Sequence, residues 1–145
     1  MKCIVQRVLS ASVSVNNKII AEIQKGLLVL IGISSNDNEK SANDMVDKII
    51  NLRIFDDKDN KLNLSVKDID GEILLVPNFT IYANTAHGRR PDFVNCASST
   101  ISKPLFDMIL NQLKCNFAKT SSGEFGANMQ VKLINDGPLT VILEK

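Results

Sequence analysis

Met129-Gln130-Val131-Lys132-Leu133-Ile134 and Leu139-Thr140-Val141-Ile142-Leu143 are two apolar runs separated by Asn135-Asp136-Gly137-Pro138. Both runs read as strands, the first with the cleaner alternation. Asp-Gly followed by Pro is a strong turn signal, because Gly tolerates positive φ and Pro fixes φ. Local sequence therefore predicts a hairpin joining two separate strands. A sharper alternative is that Gly137-Pro138 holds an unusual backbone geometry, such as a cis peptide, which aims carbonyls at a ligand.

Working back towards the N-terminus, Gly26-Leu27-Leu28-Val29-Leu30-Ile31-Gly32-Ile33 is a continuous apolar run, expected of a strand buried on both faces. Residues 2–8 and 11–15 read as two short strands. Asn16-Asn17 makes a turn, and Lys18 to Ile23 resumes as a strand. Asn36, with Glu39 three residues on, resembles a capping box. Ala42, Met45, Val46, Ile49 and Ile50 follow at helical spacing, so the pattern predicts an amphipathic helix over 38–51. Leu52 to Phe55 reads as a short strand and Asp56 to Asn60 as a polar turn. That turn lacks the Gly and Glu of a calcium loop.

Glu72 to Ile81 reads as a buried strand whose pairing ends or shifts at Pro77, which has no N–H to donate. A loop rich in Gly, Arg and Pro occupies 83–95. Ser102 is the expected cap of a second helix with Pro104 in its first turn, and Leu105, Phe106, Ile109, Leu110, Leu113 and Phe117 form its buried face. The order of elements gives one α+β domain over residues 1–145, with two β-layers of curled, mostly antiparallel sheet and helices packed on one side.

Bulk properties narrow the function. Hydrophobic residues make up 44% and charged residues 23% of the chain, as in an ordinary globular domain. The N-terminal stretch carries no long apolar region, and no run approaches a bilayer span, so a cytoplasmic protein is the expectation. Three distant cysteines, Cys3, Cys96 and Cys115, predict neither a disulfide framework nor a zinc site. Net charge is +1, which excludes a bulk polyanion binder. The distribution is uneven: residues 80–120 hold 5 Lys/Arg against 2 Asp/Glu, and this basic segment includes Gly88-Arg89-Arg90.

The chemistry is bounded by what is missing. His87 is the only histidine, so triads that need a histidine base are disfavoured, and phosphate-cradling glycine loops are absent. What remains is chemistry done by the backbone, at the strand end Asn78-Phe79-Thr80 and at Gly137-Pro138. Locally, Thr80 reads first as a plain strand residue, and after that as a nucleophile or a water-holding hydroxyl. Phe79 and Phe125 read as base-stacking or core aromatics.

Taken together, several pieces resemble the D-aminoacyl-tRNA deacylase family of the bacterial and eukaryotic type. They are Gln6-Arg7-Val8 with Ala11-Ser12-Val13, Gly26 to Gly32, Leu52 to Phe55, Leu62 to Asp68, Gly88-Arg89-Arg90-Pro91-Asp92-Phe93, and Gly123 to Met129. The last is Asn135-Asp136-Gly137-Pro138-Leu139-Thr140, which matches the family's Asn-x-Gly-Pro-x-Thr in full. Pro77-Asn78-Phe79-Thr80-Ile81 stands where the family has Ser-Gln-Phe-Thr-Leu, so Phe79 and Thr80 match while Pro77 and Asn78 depart.

The resemblance implies the family fold and a homodimeric esterase that cleaves D-amino acids from the 3′-terminal adenosine of tRNA, a chiral proofreading activity that recycles tRNA. D-aminoacyl-tRNA and glycyl-tRNA are the implied substrates, with no metal or cofactor. It further implies catalytic groups at Phe79 and Thr80, and substrate contacts at Asn78, Phe125 and Met129. A cis Gly137-Pro138 peptide would enter the partner's pocket to reject L-amino acids, with Arg7 pinning that motif across the dimer. Two other readings are a tRNA-end-binding module without turnover and a small-molecule esterase that uses Thr80.

Overall fold

The computed structural model describes all 145 residues. Its strands are β1 (Lys2–Val15), β2 (Lys18–Ile23), β3 (Gly26–Gly32), β4 (Phe55–Asp56), β5 (Leu62–Leu64), β6 (Glu72–Pro77), β7 (Thr120–Ser122) and β8 (Gln130–Glu144). Two helices, α1 (Glu39–Asn51) and α2 (Ser99–Asn116), and a short 3₁₀ turn over Phe79–Tyr82 complete the chain. No helix is long and apolar enough to cross a membrane.

The main sheet runs β2-β1-β3-β6-β7, with β8 along β1. β1 pairs antiparallel with β2, β3 and β8. The β3–β6 and β6–β7 pairs are parallel, so the sheet is more mixed than the alternation of strands suggests. Parallel neighbours need a crossover; α1 lies between β3 and β6 in the chain, and α2 between β6 and β7. Gly26 is required by this pairing, because a Cβ there would sit 1.9 Å from the carbonyl oxygen of Glu72.

Alternation along the strands divides the core. Cys3, Val5, Leu27, Val29, Ile31, Ile73 and Leu75 face α1 and α2 in the larger cluster. Leu28, Leu74 and Val76 point the other way and meet Val8, Ala11, Val13 and Ile23 in a second cluster. β2 packs over β6 and β7, so the sheet curls onto itself as two layers.

β1 is one strand, not two. Register shifts against β8 between Gln6, Val8 and Ser10 take the place of the expected break. Val8 already faces the second cluster, and the shift that follows lets Ala11 and Val13 face it too. Likewise, β8 is one long strand and not a hairpin. Both of its halves pair with β1, Val8 lying opposite Asn135 and Gln6 opposite Thr140. The turn residues form a bulged detour between those pairs, with Gly137 at φ +119 and the Gly137–Pro138 peptide cis.

Other boundaries also shift for local reasons. α1 is capped by Asn38, not Asn36. The Asn38 side chain accepts from Lys40 and Ser41 N–H, while the Ser41 hydroxyl accepts from Asn38 N–H. Ser98 precedes α2 in place of Ser102, whose hydroxyl bonds back to the Ser98 carbonyl at 2.9 Å, and Pro104 lies inside the helix. Leu52 to Ile54 is not strand, and the Ile54 carbonyl accepts from Arg7 Nη1. β6 ends at Pro77, and residues 79–82 turn instead of extending.

Candidate active site

Where β6 ends, Asn78 N–H donates to the Ile31 carbonyl at 2.8 Å and closes the parallel pairing. The Asn78 side chain then caps the 3₁₀ turn. Its Oδ1 accepts from Thr80 N–H at 3.2 Å and from the Thr80 hydroxyl at 2.5 Å. Ile81 N–H donates to the Asn78 carbonyl at 3.4 Å. Of the four N–H groups from 78 to 81, only that of Phe79 has no acceptor in the chain. An exposed strand end with one free N–H is a ready donor to a developing oxyanion.

The Phe79 carbonyl accepts from Cys96 Sγ at 3.2 Å, so the Phe79–Thr80 peptide is held at both its C=O and its N–H, and the Asn78–Phe79 peptide is held at its carbonyl by Ile81 N–H. Burial, then the charge of Asp92, raises the Cys96 thiol above its ordinary pKa, which keeps the donor proton in place at neutral pH. The Phe79 ring is exposed and meets the edge of Phe93 with centroids 5.2 Å apart. Sequence patterning had no signal for Cys96, because nothing in its neighbours marks a thiol bound to a distant carbonyl.

A cavity of about 510 Å³ opens beside this turn. Asn78 and Phe79 line it with Leu28, Leu30 and Val76 from the sheet, Val131 and Leu133 from β8, and Phe125 and Met129 from the segment between β7 and β8. Ser99, Ser102 and Phe106 of α2 close another side. Phe125 is held by Phe106, with ring centroids 5.7 Å apart. Gly123 lets this segment pass close to Met129, since a Cβ there would lie 2.7 Å from its sulfur. The lining is mostly apolar, with few polar groups, as in a small-molecule site.

The expected residues fall into two groups. Asn78, Phe79, Phe125 and Met129 line the cavity, and Thr80 is exposed next to them. Gly137, Pro138 and Arg7 do not line it. Within the chain, Arg7 is 8% exposed and touches its own motif. Its Nη1 donates to the Ile54 carbonyl and Asp56 Oδ2, each at 3.0 Å. Its Nε lies 3.0 Å from Asp136 Oδ2 as an ion pair, at an angle that makes no hydrogen bond. Its Nη2 is 3.4 Å from where a Gly137 Cβ would stand. Asn135 supplies a second clamp, its Nδ2 donating to the carbonyls of Arg7 (2.8 Å) and Leu139 (3.0 Å). Gln6 adds a 3.3 Å contact to Thr140 Oγ1. Gly137 and Pro138 are left exposed at the crest of the detour.

The chain is similar to known proteins along its whole length. It is 49% identical to a D-aminoacyl-tRNA deacylase of Flavobacterium psychrophilum, over 99% of this chain and 97% of that one. It is equally identical to the D-aminoacyl-tRNA deacylase of Thermosipho melanesiensis, with the same coverage. Among solved structures, the c-Myc DNA Unwinding Element Binding Protein superposes with a TM-score of 0.95 at 40% identity, covering 100% of this chain and 99% of that one. A structure described as a probable eukaryotic D-amino acid tRNA deacylase gives a TM-score of 0.88 at 16% identity, covering 98% and 97%, and shares the fold. Residues 4–144 match the D-Tyr-tRNA(Tyr) deacylase family. With that match along nearly the whole chain and relatives 49% identical, the chain belongs to that family.

Proposed function

We propose that the protein hydrolyses the ester between a D-amino acid and the 3′-terminal adenosine of tRNA. The observation that carries this reading is the free Phe79 N–H beside a cavity in a chain of this family. Water adds to the ester carbonyl, and the charge that builds on its oxygen is met by Phe79 N–H. One such donor is worth about 3–4 kcal/mol elsewhere. The Thr80 hydroxyl donates a hydrogen bond to Asn78 Oδ1, which leaves its lone pairs free to accept from the attacking water. The C–O3′ bond then breaks and the 3′-oxygen takes a proton, releasing the D-amino acid and a tRNA with its 3′-hydroxyl restored. An aminoacyl ester is already activated, and its neighbouring 2′-hydroxyl can relay protons, so this route calls on no histidine base, metal or cofactor.

In the same reading the working form is a homodimer in the cytoplasm, and Gly137-Pro138 of one copy forms a wall in the pocket of the other. Support comes from the exposure of both residues, their absence from the lining of their own cavity, and the clamps from Arg7 and Asn135. A backbone wall near Cα rejects an L side chain by shape, and no side-chain substitution removes it. Glycine offers no side chain to reject, so glycyl-tRNA is also cleaved.

The test is single-turnover hydrolysis of D-tyrosyl-tRNA, L-tyrosyl-tRNA and glycyl-tRNA. Rapid loss of the D and glycyl esters with the L ester intact is expected. Glycyl-tRNA that resists enzyme levels able to clear D-tyrosyl-tRNA would remove the wall, and no turnover of any ester would leave a tRNA-end-binding module.

A further inference from the structure

The loop between the 3₁₀ turn and α2 carries a feature that ester chemistry leaves unused. Arg89 and Arg90 are adjacent, exposed, and in neither an ion pair nor a hydrogen bond with the rest of the chain. The nearest acid in sequence, Asp92, is occupied. Its Oδ2 accepts from Asn84 Nδ2 at 3.0 Å and its Oδ1 from Val94 N–H at 3.3 Å. Asn84 and Asp92 also exchange two backbone bonds of 2.9 Å, which clasp the base of the loop. Gly88, at φ +79, turns the chain just before the two arginines, in open space. The clasp is tied to the site because the next residue, Phe93, packs on Phe79. Arg90 is three residues from Phe93, so their Cα atoms are at most about 11 Å apart.

A bare pair of guanidinium groups, on a clasped loop tied through Phe93 to the Phe79 turn, matches the phosphodiester chain that leads to a terminal adenosine. Guanidinium presents a planar fork of donors suited to phosphate oxygens. The +1 net charge of the whole protein makes any such attraction local. We propose that Arg89 and Arg90 bind phosphates of the tRNA acceptor end and thereby supply binding energy for the whole tRNA that the aminoacyl-adenosine alone does not obtain. This rests on the tRNA-ester reading above.

The experiment compares wild type, Arg89→Ala/Arg90→Ala and Arg89→Lys/Arg90→Lys, on D-tyrosyl-tRNA and on 3′-O-(D-tyrosyl)adenosine, across a salt series. Lys40→Ala/Lys48→Ala on α1 removes the same charge elsewhere and serves as the control. The alanine pair raises KM for the tRNA roughly tenfold near 0.15 M salt at constant kcat. It also flattens the salt slope of log(kcat/KM) by about 1.4, two contacts at about 0.7 each. The adenosine ester is cleaved at the wild-type rate, the lysine pair keeps most of the slope, and the α1 control changes neither. An unchanged KM and slope, an equal loss on the adenosine ester, or the same loss in the control would overturn the assignment. If the wild type cleaves neither ester, the tRNA-ester reading fails first. Filter retention of deacylated tRNA against salt then judges the loop alone, with the same slope difference supporting it and its absence overturning it.

Discussion

Asn78 Oδ1 accepts from both the backbone N–H and the hydroxyl of Thr80, at 3.2 and 2.5 Å. One side chain thus withdraws the Thr80 N–H from substrate and fixes the direction of its hydroxyl. Asn78→Ala releases both. Loss of the cap costs about 1 kcal/mol of stability, and kcat falls by about 100-fold, the scale of a misplaced reacting group. Thr80→Ser keeps most of the rate and Thr80→Ala behaves like Asn78→Ala. Single-turnover rates for the three variants decide this; a Thr80→Ala enzyme at full speed would assign water positioning to the backbone and substrate alone.

Gly137 has φ +119, a region open to glycine and strained for any residue with a Cβ. Gly137→Ala also brings a methyl group to 3.4 Å from Arg7 Nη2. The variant loses about 1–3 kcal/mol, read from urea midpoints at constant slope. A midpoint equal to wild type would mean that the detour relaxes freely.

Arg7 gathers Ile54, Asp56 and Asp136 around one buried guanidinium. Arg7→Ala leaves two acids without their cation, and Arg7→Lys cannot fork between them. Because both acids are partly exposed, the losses are set below those of a fully buried pair: about 2–3 kcal/mol for Ala and about 1–2 for Lys. Thermal melts at matched ionic strength test the order.

Acid weakens the fold through two carboxylates, half-buried Asp57 and exposed Asp68. Asp57 is held low first by the N–H groups of Lys61 and Asp59, and Asp68 by the N–H and then the hydroxyl of Ser65. A lowered folded pKa stabilises the protein above the unfolded value of 3.8, and that contribution disappears as pH falls through the folded value. Urea midpoints should therefore decline below about pH 4, and less steeply in Asp57→Asn/Asp68→Asn.

Cys3 is fully buried, and burial pushes its thiol up to about 12 from 9.0. The protonated form belongs to the folded state, so its contribution is complete below pH 9 and is lost as pH rises towards 12. With a thiol reagent at neutral pH, exposed Cys115 reacts first, half-buried Cys96 slowly, and Cys3 only on unfolding. Fast labelling of all three thiols in native protein would contradict this packing.

The layers were legible because apolar periodicity reports burial directly. β3 is apolar throughout and is buried on both faces, and α1 shows its buried stripe at helical spacing. The hairpin reading of β8 failed because Asp-Gly-Pro is a turn in isolation. Here Asn135 and Arg7 hold the turn against β1, and no local signal reports a partner 128 residues away. The cap at Asn38 was displaced from Asn36 because either asparagine can cap and only the Ser41 partner decides. The strand end at Asn78-Phe79-Thr80 is legible because Pro77 has no N–H to continue the ladder, whereas Cys96 and the Asn84–Asp92 clasp depend on contacts between distant parts of the chain.

The detour in β8 also restricts how this chain can change over time. Between the pairs Gln6–Thr140 and Val8–Asn135, β8 uses five steps where β1 uses two. Beyond it, Val141 and Leu143 must return to the helix-side core. A residue inserted at the crest lengthens the bulge and leaves the pairs with β1 on each side, and so the faces of Val141 and Leu143, where they are. Identity at the crest is the constrained quantity, because Gly137 holds a φ of +119 that strains any residue with a Cβ. This edge of the sheet therefore tolerates a change of length at its crest sooner than it tolerates a side chain at Gly137.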